Sequence, residues 1–331
     1  MEHRSTKPYC LAFEECSGEM VDVVGGKNAS LGEIATAGAP VPPGFAATTA
    51  FYRSFVESDG IDEFVAERLA GVDPEDTAAV EAASADVTGR IESAPLPADL
   101  ADAVERAWFD LHDRAGDEEL AVAVRSSATT EDLPDASFAG QHDTFLHVTD
   151  LESVVDRIRA CMASLYTPRA IAYRATQGID QTTAAISVGV QEMVDPAVSG
   201  VMFTLNPSNG DRSKVRVESA WGLGEAVVDG SVTPDAYLVD KPTATVVERS
   251  VGEKAEKVVP TADGVETVRV PEDERTVDTL EDREIEVLTD LGKTLERHFG
   301  TPQDVEWAID RSPPFPEGVF VVQSRPETTW D

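Results

Sequence analysis

Short apolar runs and longer helical periods share this chain unevenly, and their alternation is the first guide to its build. Ala121–Val124 is apolar with two valines, and Val188–Val194 is an apolar run closed by Asp195-Pro196; both fit short buried strands. Asp304–Asp310 alternates polar and apolar residues, and Val319–Arg325 follows after the Pro- and Gly-rich stretch Arg311–Gly318, which predicts an antiparallel hairpin. Gly25–Leu31 opens a helix, and Val41-Pro42-Pro43-Gly44-Phe45 is a rigid turn into a strand. From Ile61 to Gly116 the spacing is helical, acidic and alanine-rich, broken at Pro95 and Pro97, as expected of a scaffolding part. Strands and helices alternate from Leu120 to Asp240. A polar connector at Thr261–Arg283, a helix through Phe299 and the hairpin complete the chain. The approximate parts are 1–60, 61–119, 120–240 and 241–331, with no internal repeat.

A length of 331 residues suffices for two or three packed subdomains. Acidic residues outnumber basic ones by 62 to 27, for a formal charge of -35, which argues against a nucleic-acid partner because phosphates need a basic footprint. The acidity is spread along the chain, and only 7 of the 27 cations are lysine. Such a shell suits molar salt, where the Debye length is about 3 Å, so a halophilic, haloarchaeal cytoplasm is expected, the alternative being a mesophilic acidic protein. Cys10, Cys16 and Cys161 form no CxxC pair and read as reduced thiols. The N-terminus lacks a signal-peptide core and no run approaches about 18 apolar residues, so a cytoplasmic protein with no membrane partner is expected.

Candidate chemistry centres on Arg125, which ends an apolar run and precedes Ser126 and Ser127. A guanidinium binds phosphate oxygens bidentately, and the small-residue loop around Gly140 can bring backbone N–H groups to a polyphosphate. A surface arginine beside an ordinary polar loop is the alternative. Lys27, at a helix start where the dipole favours anions, can reach a phosphate. It does not belong to a Walker A motif, whose glycine and Ser/Thr positions hold Val21 and Asn28 here. Gly222-Leu223-Gly224 likewise lacks the third glycine of a dinucleotide fingerprint. In Val188–Val194, backbone groups can read an adenine edge while Met193 packs on its face and Glu192 serves the ribose; core packing also explains Met193. In the hairpin, Asp304 and Glu306 share one face of the first strand, and Gln323 and Arg325 one face of the second. If the register aligns them, their oxygens suit Mg²⁺ beside a neutralising arginine; a salt-bridged sheet face is the alternative.

The residues now assembled resemble a family. VGGKNASLGE (Val24–Glu33), VPPGFA (Val41–Ala46), AVRSSATTEDLPDASFAGQHDTFL (Ala123–Leu146), VQEMV (Val190–Val194), SGVMFTLNP (Ser199–Pro207), AWGLGEAVVDGSVTPD (Ala220–Asp235), DVEWAID and VVQSRPET are similar, in order and spacing, to the N-terminal nucleotide-binding domain of phosphoenolpyruvate synthase and pyruvate phosphate dikinase. The synthase branch fits best; rifampicin-inactivating phosphotransferases use the same type of domain.

The resemblance implies an α+β ATP-grasp fold spanning residues 1–331, with ATP and Mg²⁺ as its ligands. It implies that Lys27, Arg125 and Arg325 contact the phosphates and carry the catalytic role, and that the loop bearing Gly140 and Thr144 closes over them. It places Gln191, Glu192, Met193 and Val194 at the adenine and ribose, Glu306 and Gln323 at Mg²⁺, and Asp304 in support of the metal. In such enzymes ATP is cleaved to AMP while a diphosphoryl group passes to a histidine on a separate domain, which later phosphorylates pyruvate. Neither that phosphohistidine domain nor the pyruvate-binding barrel is in this sequence, and none of His3, His112, His142, His147 and His298 lies in the acceptor's TGGxxCH context. The expectation is therefore an ATP-binding phosphotransferase module that needs a histidine carried elsewhere, either on a separately encoded domain or subunit or on the remainder of a longer enzyme from which this domain is excised. A non-catalytic nucleotide-binding or regulatory protein, and the ATP-binding half of a rifampicin-type enzyme, are the alternatives.

Overall fold

A computed structural model of the chain describes residues 8–116, 120–128, 144–261, 264–312 and 314–330. Gly140 and His142 lie outside the described residues. The chain divides into two units, the first Met1–Ala29 with Pro43–Glu192 and the second Ser30–Pro42 with Met193–Asp331. The division falls within the helical stretch α1 (Val21–Thr36).

The first unit is built on an antiparallel five-stranded sheet in the order β1-β2-β5-β3-β4, with β1 Cys10–Ala12, β2 Gly44–Ala47, β3 Val122–Ala128, β4 Thr144–Val148 and β5 Ile186–Glu192. Around it lie α2 (Thr49–Glu57), α3 (Ile61–Leu69), α4 (Thr77–Ser93), α5 (Ala98–Ala115), α6 (Leu151–Ala163) and α7 (Pro168–Thr176). Local chemistry sets their limits. Thr48, Asp76, Asp150 and Thr167 each accept a backbone N–H in the first turn of the helix that follows, and Gly116 closes α5 in the left-handed conformation. Leu100, Val104, Trp108 and Leu111 form the buried stripe of α5 at helical spacing. The stretch expected to be helical is so. One expectation is corrected: β3 does not end at Val124 but continues through Arg125, Ser126 and Ser127 to Ala128, because each has a ladder partner on β5, from Gly189 to Ile186.

The second unit holds a six-stranded antiparallel sheet in the order β13-β12-β6-β7-β8-β9, made of β6 (Pro196–Phe203), β7 (Lys214–Trp221), β8 (Asp235–Asp240), β9 (Thr245–Ser250), β12 (Gln303–Asp310) and β13 (Val319–Pro326). A separate hairpin joins β10 (Glu256–Thr261) and β11 (Gly264–Arg269). Part of the expected polar connector, Thr261 and Gly264–Arg269, is thus strand, hidden because its exposed residues show little apolar alternation. One turn of helix, α8 (Glu225–Val228), follows Gly224, and α9 (Asp282–Phe299) buries Ile285, Leu288 and Leu295. Gly292 of α9 lies where a Cβ would come within 2.9 Å of Met202, so a glycine lets the helix approach the sheet. Ser30 Oγ donates to the Ser324 carbonyl at 2.6 Å, and the Val321 N–H donates to the Pro40 carbonyl at 2.8 Å, tying Ser30–Pro42 to β13.

Candidate functional site

Directly opposed residues of an antiparallel ladder project to the same side, so register assigns each candidate a face. In the first unit Arg125 is opposite Gly189 on β5 and Thr144 on β4, while Gln191 is opposite Ala123 and Gly44. Arg125, Thr144 and Gln191 therefore share one face. It is a face of small and polar residues, completed by Ser127 opposite Ser187. The other face carries Val122, Val124, Val188 and Val190, all in the apolar core. Glu192, next to Gln191, alternates to the opposite side and stands across from Val122.

The start of the Lys27 helix is fastened to the polar face. Gly25 has φ +71°, outside helical geometry, and a Cβ on it would lie 2.1 Å from the Ser127 carbonyl oxygen. Only glycine meets both conditions. The Asn28 N–H, in the first turn that follows, donates to Ser127 Oγ at 3.3 Å, so a residue from β3 caps the helix from outside. Asn28 Nδ2 donates to the Val24 carbonyl at 2.9 Å and to Ser187 Oγ at 3.1 Å, and Ser187 Oγ donates to the Ala47 carbonyl at 2.7 Å. This buried network was not singled out in the sequence, where Asn28 offers only its place beside Lys27. It sets Lys27, half-buried, at a helix N-terminus two residues on from Gly25.

Gln191 fits a ligand in a second way. It is 4 % exposed, and its Nε2 has no hydrogen-bond partner among the described residues. An unmatched buried amide costs about 1–3 kcal/mol, a cost that an acceptor on a bound molecule removes. Met193 and Val194 open the second unit.

In the second unit the hairpin register pairs Asp304 with Arg325 and Glu306 with Gln323, with a bulge after Glu306. Arg325 donates through Nε at 2.8 Å to Oδ2 of Asp304, and its Nη2 lies 2.7 Å from the same oxygen in an ion pair. Burial pushes the Asp304 carboxyl above the usual aspartate range, against the opposing pull of Arg325. The immediate partner of Asp304 is thus an arginine. Glu306 and Gln323, half-buried and directly opposed, offer one carboxylate and one amide oxygen. No group of three or more His, Cys, Asp or Glu side chains arranged for a metal occurs among the described residues. The pair is still the kind of donor set that suits Mg²⁺, which takes one or two protein carboxylates and fills its octahedron with water and phosphate oxygens.

A second buried cluster went unseen in the sequence. Asp235 and Lys254, both fully buried, form an ion pair; Asp235 also accepts from the Gly252 N–H at 2.9 Å, the Thr279 N–H at 2.8 Å and Thr279 Oγ1 at 2.9 Å. It joins the start of β8 to the segments before β10 and α9, a structural task.

The family described as pyruvate phosphate dikinase, AMP/ATP-binding domain, matches residues 21–331. Among individual proteins, the chain is 45% identical over 323 residues to the "Probable phosphoenolpyruvate synthase" of Methanothermobacter thermautotrophicus, covering 97% of this chain and 46% of that protein. It is 44% identical over 318 residues to the protein of the same name in Methanocaldococcus jannaschii, covering 96% and 26%. With the "Phosphoenolpyruvate synthase" of Pyrococcus furiosus it shares 39% identity over 359 residues, covering 96% and 43%. The chain spans less than half the length of each of these relatives. No described helix is long and apolar enough to cross a membrane.

Proposed function

The chain belongs to the pyruvate phosphate dikinase AMP/ATP-binding domain family, and from that premise we propose that it binds Mg-ATP and donates phosphoryl groups to a histidine carried on another domain or subunit. The observation that carries this reading is the polar face of the five-stranded sheet, where Arg125, Thr144 and Gln191 stand together and the Lys27 helix start is pinned by Gly25 and Ser127. Its chemistry is that of a polyphosphate cradle: a guanidinium, a helix N-terminus with its lysine, and a hydroxyl.

In this reading Lys27 and Arg125 hold the phosphates, and Gln191 supplies a buried donor to the base, with Glu192, Met193 and Val194 beside it. Glu306 and Gln323 hold the magnesium ion, which when bound neutralises phosphate charge and orients the oxygens it touches. Arg325 stabilises the charge that develops as AMP departs, and Asp304 fixes its guanidinium. The side chains position and neutralise and form no covalent bond, so the acceptor must come from elsewhere. The phosphoenolpyruvate synthase names of the relatives favour pyruvate as the final acceptor. The excess of 35 negative charges fits a halophilic cytoplasm.

Calorimetric titration of Mg-ATP into the wild-type chain and Arg125→Ala tests the reading. Saturable binding that weakens at least about tenfold in the variant is expected from the loss of a charge-assisted contact. A folded wild-type chain that takes up no Mg-ATP would refute it.

A further inference from the structure

The charged face of the six-stranded sheet extends past the β12–β13 hairpin. Following the register from strand to strand, one row runs Arg325, Asp304, Phe203, Arg216, and the next runs Gln323, Glu306, Val201, Glu218. Arg216 and Glu218 of β7 therefore stand on the same side of the sheet as the four hairpin candidates, with only β6 between β7 and β12. At strand spacings of about 4.8 Å, the Cα of Glu218 is ~10 Å from that of Glu306, and Arg216 is ~14 Å from Arg325.

Arg216 is held in a particular way. Its Nε donates to Glu218 Oε1 at 3.1 Å, and the two side chains are 28% and 27% exposed. Its two Nη atoms have no hydrogen-bond partner among the described residues. The carboxylate two residues along the strand thus grips the guanidinium from the Nε side and leaves the terminal fork unused, whereas Arg325 spends one Nη on Asp304. A pair that served only to close the sheet surface would gain by using the fork, and a half-exposed pair contributes little to stability in any case. Phe203 and Leu238 flank Arg216 on the neighbouring strands. Apolar neighbours reduce hydration and strengthen the attraction of a cation for an anion.

We propose that Arg216 is a further phosphate-binding residue of this face and that Glu218 is its positioning residue. The assignment rests on the reading that the chain binds Mg-ATP, and it extends the nucleotide's footprint from the hairpin across β6 to β7. The ligand it takes is a polyphosphate, and the contact is made beyond the α-phosphate, because Arg216 lies on the side of Glu306 away from Arg325 and a single phosphate held at the hairpin would not span the intervening strand.

The test is a set of calorimetric titrations of Mg-ATP, AMP and inorganic tripolyphosphate with Mg²⁺ into the wild-type chain, Arg216→Ala, Arg216→Lys, Glu218→Ala and the Ala/Ala double variant. Arg216→Ala is expected to weaken Mg-ATP and tripolyphosphate about tenfold or more and to change AMP less than about twofold. Arg216→Lys recovers part of the loss, since it keeps the charge without the fork. Glu218→Ala weakens Mg-ATP less than Arg216→Ala, and the double variant is no weaker than Arg216→Ala alone, because Glu218 acts through Arg216. Unchanged Mg-ATP binding in Arg216→Ala, or an equal loss for ATP and AMP, overturns the assignment while leaving the wild-type site intact. A wild-type chain that binds no Mg-ATP overturns the underlying reading, and this assignment with it. Should Arg216→Ala fail to fold, Arg216→Lys and Glu218→Ala carry the same comparison.

Discussion

Arg325 and Asp304 face each other across β13 and β12, and the arginine places Nε and Nη2 on a single carboxylate oxygen at 2.8 and 2.7 Å. The guanidinium is more than half exposed while the carboxylate is largely buried, so the acid acts as an anchor and the base as the presented group. Replacing Arg325 by alanine removes the presented cation and leaves Asp304 beside Glu306 without compensation. Mg-ATP affinity measured by calorimetry is expected to fall by about tenfold or more, and thermal stability to fall with it, because the largely buried Asp304 carboxylate loses its counter-charge. Undiminished ATP binding in this variant would remove Arg325 from the site.

Gly25→Ala tests the fastening of the Lys27 helix. The substitution meets a positive φ and a carbonyl oxygen 2.1 Å from the new Cβ. Strain and overpacking together are expected to cost about 2–4 kcal/mol, seen as a lower unfolding midpoint, and to weaken nucleotide binding. Gly38→Ala, at a positive φ with open space around its Cβ position, isolates the backbone contribution.

Lys254→Ala should be among the most damaging changes in the second unit. It would leave Asp235 fully buried without its counter-charge, a situation that costs about 3–5 kcal/mol. Denaturant unfolding of the variant against Lys241→Ala, which breaks a more exposed pair with Glu296, gives the comparison. A similar loss in both would contradict the burial argument.

Asp150 caps α6, accepting the Ser153 N–H at 2.9 Å and Ser153 Oγ at 2.7 Å, and these hydrogen bonds hold its carboxyl below the usual aspartate range. A lowered folded-state pKa means the contribution is present above the unfolded aspartate pKa and lost as pH falls through the folded one. Asp150→Ala is therefore expected to cost about 0.5–2 kcal/mol at neutral pH, with the gap to wild type narrowing under acid conditions. Asp150→Asn, which keeps an acceptor oxygen, should lie close to wild type at neutral pH. Unfolding curves across the acid range check both.

A net charge of -35 makes self-repulsion a force against folding at low ionic strength. Raising KCl from 0.1 M to 2 M shortens the Debye length from about 10 Å to under about 3 Å, and the thermal midpoint is expected to rise. A midpoint independent of salt would argue against the halophilic reading.

What the amino-acid order determined by itself was local. Period-two alternation assigned Asp304 and Glu306 to one face and Gln323 and Arg325 to another but left the register open across the connection Arg311–Gly318; the observed register pairs them directly. Helical spacing likewise marked the stretch that holds α3, α4 and α5 and the helix through Phe299, α9, because it depends on residues within a few positions. The tertiary structure decided what depends on which strands become neighbours. Placing β5 between β2 and β3 extended the Arg125 strand to Ala128, put Gln191 and Arg125 on one face, and brought Asn28, Ser127 and Ser187 within hydrogen-bonding distance across separations of 99 and 159 residues. The placing of β6 between β12 and β7 did the same for Arg216 and Glu218, and the closure of Lys254 onto Asp235 made a charge pair from residues whose local sequence gives no sign of burial. Alternation fixes the side of a strand from which a residue projects, but its neighbours on that side are set by the packing of the whole unit, where burial of the shared core outweighs any local preference.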